Sequence, residues 1–119
     1  MTEEALWTSV DSRRGRWERV CRVADAPIGA TIHVGSANRL ALVNRGDEFF
    51  AFVDLCPHAH LPVTSGWIDK GVIVCGHHGA RFDLKSGVAL SVTDQPLKML
   101  LTSVNDGDVF ILIPSNMTY

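Results

Sequence analysis

The sequence predicts an antiparallel all-β domain, and two observations carry that prediction. Apolar stretches are short, four to eight residues, and rich in Val, Ile, Leu and Phe. They are separated every 8–15 residues by turn signals built around glycine, the pattern of short strands joined by tight hairpins. No stretch sustains helical amphipathicity with a cap; the best candidate, Thr2–Val10, is short and lacks a C-terminal cap. The 119-residue length fits one domain. With 46% apolar and 20% charged residues the balance is that of a globular chain.

Taken in order, residues 1–16 are polar, carry no sustained period and read as an N-terminal extension, with residues 17–119 as the domain proper. From Trp17 onward the strand text begins. Asn44-Arg45-Gly46-Asp47 separates Leu40–Val43 from Phe49–Val53, and Asp69-Lys70-Gly71 separates Trp67–Ile68 from Val72–Val74. Lys85-Ser86-Gly87 and Asp106-Gly107 punctuate the remainder. Each glycine can supply the positive φ that a tight hairpin turn requires.

Composition also excludes several functions. The net charge is −2, so nothing draws the whole chain toward nucleic acid or an anionic membrane. Arg13, Arg14, Arg16, Arg19 and Arg22 are five of the eleven basic residues; with Glu18 and Asp25 nearby they read as a solvated edge. No apolar run approaches the roughly 20 residues of a membrane helix, and the acidic start Met-Thr-Glu-Glu has no apolar segment behind it to act as a secretion signal. Three cysteines are too few for a disulfide framework. The expected compartment is a reducing cytoplasm, where thiolates stay available to metal.

One region departs from the strand text. Leu55–Gly66 and Cys75–Asp83 hold four of the five histidines and two of the three cysteines. The pattern is Cys56-Pro57-His58, sixteen residues, then Cys75-Gly76-His77-His78. The intervening residues read as strand, turn and strand, and such a hairpin brings its two ends together. Two soft sulfurs and two imidazoles converging there suit zinc or an iron–sulfur cluster. Zinc ribbons and fingers usually pair like ligands within one half, whereas here each half is mixed. His60 and His77 are further nitrogen donors in the same loops. Cys21, in the first strand, reads as a buried apolar residue, and His33 is a lone strand histidine without an assignable role.

With these residues the sequence resembles the Rieske ferredoxin family, whose signature is Cys-x-His, about sixteen residues, then Cys-x-x-His-Gly. Pro62, Gly66, Gly79, Phe82 and Asp83 extend the match, as do the 83–88 hairpin, Gln95-Pro96-Leu97 and the Asp106-Gly107 hairpin. The resemblance covers residues 17–113. It implies a Rieske-type antiparallel β-sandwich with a small cluster-binding subdomain, its loops at about 55–66 and 75–83. It also implies one 2Fe–2S cluster, with Cys56 and Cys75 on one iron and His58 and His78 on the other.

Respiratory members of the family carry an extra cysteine in each loop and a serine after His-Gly; this chain has neither, and Ala80 stands in the serine's place. It therefore resembles the low-potential ferredoxins of bacterial aromatic-ring-hydroxylating dioxygenases. Those ferredoxins pass single electrons from an NADH-dependent flavin reductase to a terminal oxygenase. The chain would then be a carrier and not itself an enzyme. The histidine-bound iron would lie outermost, framed by a docking rim of His60, Leu61, Pro62, His77, Gly79 and Pro96. The alternatives are a small Rieske-like subunit of a nitrite reductase and a zinc-binding interaction module.

Overall fold

The computed structural model describes residues 15–35, 39–57, 62–76 and 79–114. They form eleven strands: β1 (Gly15–Arg22), β2 (Thr31–Val34), β3 (Leu40–Asn44), β4 (Phe49–Val53), β5 (Trp67–Asp69), β6 (Val72–Val74), β7 (Arg81–Asp83), β8 (Ala89–Ser91), β9 (Met99–Leu100), β10 (Thr102–Asn105) and β11 (Asp108–Pro114). β1 begins at Gly15, two residues ahead of Trp17. The reason is pairing: Gly15 lies opposite Pro114 and Arg16 opposite Ile113 on β11. No helix among the described residues is long and apolar enough to cross a membrane.

The strands form three antiparallel sheets, ordered β1-β11-β10, β2-β3-β4-β9 and β5-β6-β7-β8. The turns expected from sequence close the hairpins. Lys70 and Gly71 have φ of 50° and 81°, and Asp106 and Gly107 have 55° and 81°. Two successive positive φ values match the right-handed twist of the flanking strands. At the β3–β4 turn, Gly46 N–H donates to the Asn44 side-chain oxygen at 2.8 Å, while the Asn44 amide donates to the carbonyl of Ala26 at 2.6 Å. That second bond satisfies a polar side chain that is only 6% exposed.

β3 explains how the sheets stack. Leu40, Ala41, Leu42 and Val43 are all fully buried, which requires cover on both faces of the sheet. Leu40 and Leu42 join Cys21, Ala51, Val109, Ile111 and Ile113 in the core between the first two sheets. Ala41 and Val43 point the other way, joining Phe52, Ile73, Phe82, Leu84 and Leu97 in a second core beneath the third sheet. The first two sheets make the sandwich, and β5–β8 is the small subdomain. Cys21 is buried in the sandwich core as expected, and burial pushes its thiol pKa up.

The arginines of β1 lie on a solvated edge. Arg19 and Arg22 both reach Asp108, at 3.1 and 3.4 Å, and Arg16 lies 3.7 Å from Glu18. Exposed pairs of this kind add little stability. Arg13 and Arg14 lie outside the described residues.

Candidate metal centre

The third sheet exists to bring two loops to one end. Trp67 pairs with Val74 across the β5–β6 hairpin, so the residue before β5 meets the residues after β6. That residue is Gly66, and a methyl group there would overlap the carbonyl oxygen of Val74 and approach the Gly76 nitrogen to 2.7 Å. Only glycine lets the end of the first loop lie against the start of the second.

The second loop turns sharply back. Cys75 N–H donates to the Ala80 carbonyl at 2.8 Å, and Gly79 N–H donates to the Cys75 carbonyl at 3.1 Å. Gly79 sits at φ 71°, a conformation that a side chain would strain. The first loop leaves β4 at Asp54 and re-enters regular structure through a short 3₁₀ turn, Val63–Ser65.

Cys56 and Cys75 have no exposed surface, belong to one buried group with Val63, Ala80, Phe82 and Leu97, and form no disulfide. Two buried thiols at the ends of adjoining loops, in an apolar wall, are the donor chemistry of the sulfur-ligated half of a Rieske cluster. The residues present fit that group. Pro62, Gly79 and Pro96 of the expected rim are exposed. His58, His60, Leu61, His77 and His78 lie outside the described residues.

Sequence reasoning missed two features here. Leu55, beside Cys56, is 46% exposed and lines an open groove of about 450 Å³ with Val53, Pro57, Gln95, Pro96 and Lys98. The signal was available, because an apolar residue next to an expected ligand, at the end of a strand, has no core left to enter. His33 is also not alone. Its Nε2 lies 2.9 Å from both Asp54 Oδ2 and Thr64 Oγ1. Separations of 21 and 31 residues left no local pattern to find.

Comparison with known proteins agrees with this geometry. Residues 16–104 match the model of the Rieske [2Fe-2S] domain family. The 3-phenylpropionate/cinnamic acid dioxygenase ferredoxin subunit of Escherichia coli (strain K12) is 36% identical over 96 residues, covering 79% of this chain and 91% of that protein. Among solved structures, the Sphingomonas yanoikuyae B1 ferredoxin superposes with a TM-score of 0.72 at 32% identity, covering 82% of this chain and 98% of the other. A chain from the complex of reduced oxygenase and oxidised ferredoxin in carbazole 1,9a-dioxygenase gives 0.74 at 28%, covering 86% and 97%. The terminal oxygenase from Nocardioides aromaticivorans IC177 shares the fold over only 31% of its own length, at 22% identity. The chain belongs to the Rieske [2Fe–2S] domain family and carries a single Rieske-type 2Fe–2S cluster.

Proposed function

We propose that this chain is a Rieske ferredoxin that takes single electrons from an NADH-dependent flavin reductase and delivers them to a terminal ring-hydroxylating oxygenase. One observation carries the reading. The match spans 91% of the dioxygenase ferredoxin subunit of Escherichia coli and 98% of the Sphingomonas ferredoxin, but 31% of a terminal oxygenase. The chain therefore corresponds in extent to a carrier.

Residues 17–119 are the working domain in this reading and 1–16 an extension. Cys56 and Cys75 would hold one iron, and His58 and His78 the other. When bound, the cluster supplies one-electron redox chemistry. The protein's part is to bury the sulfur side and keep the imidazole side near the surface. The burial of Cys56 and Cys75 alongside the exposure of Pro62, Gly79 and Pro96 supports that polarity. An exposed, weakly charged rim suits a small, short-lived interface, with His60, Leu61 and His77 expected to complete it. A reducing cytoplasm fits three cysteines that form no disulfide.

The potential belongs in the lower part of the Rieske span of about −150 to +300 mV. Pro57 has no N–H to give, Ala80 has no hydroxyl, and no cysteine is left to tie the loops. Redox titration of the purified protein, followed by stopped-flow reoxidation with a ring-hydroxylating oxygenase, tests the reading. Uptake of one electron per chain at low potential, then rapid transfer, is the expected result. A colourless protein, or a potential above about +200 mV, would contradict it.

A further inference from the structure

The base of the first loop is closed by side chains that no part of the electron-carrier reading uses. Asp54, directly after β4, is buried to a side-chain exposure of 5%. Its Oδ1 accepts the backbone N–H of Thr64 at 3.0 Å, and its Oδ2 accepts the Thr64 hydroxyl at 2.6 Å. That hydroxyl has one proton and spends it on the carboxylate, so its oxygen is an acceptor toward His33. Nε2 of His33, 2.9 Å from both Thr64 Oγ1 and Asp54 Oδ2, must carry its proton to serve either. The tautomer follows from the partners it faces. A buried carboxylate with several donors is stabilised where an unpaired one would be costly.

Position gives the arrangement its meaning. Asp54 stands two residues before Cys56, and Thr64 two before Gly66, the residue wedged against the second loop. Every residue of the first loop, Cys56 and the expected ligand His58 included, lies between the two halves of this clasp. Thirteen residues, 54–66, join the second sheet to the third, and this side-chain tie adds to the bond from Asp54 N–H to the Arg39 carbonyl and to the burial of Cys56 and Val63. His33 lies on β2, an edge of the second sheet, and braces the clasp from a strand outside the loop.

We propose that Asp54 and Thr64 are positioning residues that close the first cluster loop and hold Cys56 in register with the second loop, with His33 bracing them. The proposal rests on the assignment of Cys56 as a ligand. Partners that orient metal ligands typically change metal affinity about ten- to a hundredfold when removed. The clasp acts one step further back, on the loop itself, and its loss should appear as faster cluster release from a protein that is still folded.

The test uses the cluster-loaded full chain. Bleaching of the visible absorption by a ferrous chelator is timed well below the unfolding transition. Circular dichroism on the same samples gives the unfolding midpoint, and electron paramagnetic resonance records the reduced state. Asp54→Asn and the near-isosteric Thr64→Val should speed bleaching about ten- to a hundredfold and broaden the resonance, with the unfolding midpoint little changed. Thr64→Ser, which keeps both donors, should behave as the unaltered protein, and His33→Ala should show a smaller change in the same direction. Bleaching unchanged in Asp54→Asn and Thr64→Val, or accelerated only in step with global unfolding, would overturn the clasp. A Cys56→Ser variant separates the two ideas. If it is colourless while the clasp variants are normal, only the clasp fails; if it keeps a native cluster, the ligand assignment fails first.

Discussion

Single residues at turns set the local geometry here, and Asp83 shows how such a turn is tied to solution conditions. The carboxylate accepts the Ser86 hydroxyl at 2.7 Å and the Ser86 N–H at 2.9 Å. Those bonds to the charged form hold its pKa below the usual carboxylate range, the hydroxyl contributing most. A depressed folded pKa contributes stability that is present above the unfolded value, about 3.9, and is lost as pH falls through the folded one. Ser86→Ala should therefore be less stable than the unaltered protein by a constant margin from pH 7 to 5, the margin shrinking below about pH 4. Urea unfolding at several pH values measures it; a margin that widens in acid would contradict the assignment. This turn was legible because Asp83, Ser86 and Gly87 are close in sequence. The pairing of Arg19 with Asp108 was not, since 89 residues separate them.

Among elements, the β5–β6 hairpin decides whether the two loops meet. Its strands and turn could be read directly, because a run of Val72–Val74 after Lys70-Gly71 has few alternative conformations. What the sequence could not display is the close approach at Gly66, whose φ of −95° is open to any residue. A side chain there would meet the carbonyl of Val74, eight positions away. Gly66→Ala should cost about 1–3 kcal/mol through forced backbone displacement and should lower the cluster content of the purified protein in parallel. Thermal unfolding and iron analysis provide the measurement; normal iron content with an unchanged midpoint would contradict the role given to Gly66. β3 makes the same point about packing. Its unbroken run from Leu40 to Val43 identified a strand, but two-sided burial became visible only with sheets on both faces.

At the scale of the whole molecule, the cluster end and the arginine edge occupy different sheets. Pro62, Gly79 and Pro96 frame the third sheet's loops, whereas Arg16, Arg19 and Arg22 lie on β1 of the first. Leu55→Asp and Pro62→Asp should each slow electron delivery to an oxygenase several-fold without altering absorption, while Arg16→Glu should leave delivery nearly unchanged. Stopped-flow transfer kinetics across ionic strength decide between them; a strong effect of Arg16→Glu with none at the rim would mean that docking is electrostatic. The expected ligand set could be proposed from sequence because its spacing is a chemical signature. The His33, Asp54 and Thr64 clasp was not, because it is assembled only when β2, β4 and the 3₁₀ turn come together.

The central claim, that two cysteines and two histidines of these loops share one cluster, is tested most directly by counting the nitrogens bound to it. Pulsed electron paramagnetic resonance of the reduced protein should detect two strongly coupled imidazole nitrogens. Both His58→Ala and His78→Ala should abolish that signal with the cluster, while His60→Ala and His77→Ala retain it. A reduced cluster with no coupled nitrogen, or two nitrogens that persist in His58→Ala, would contradict the assignment.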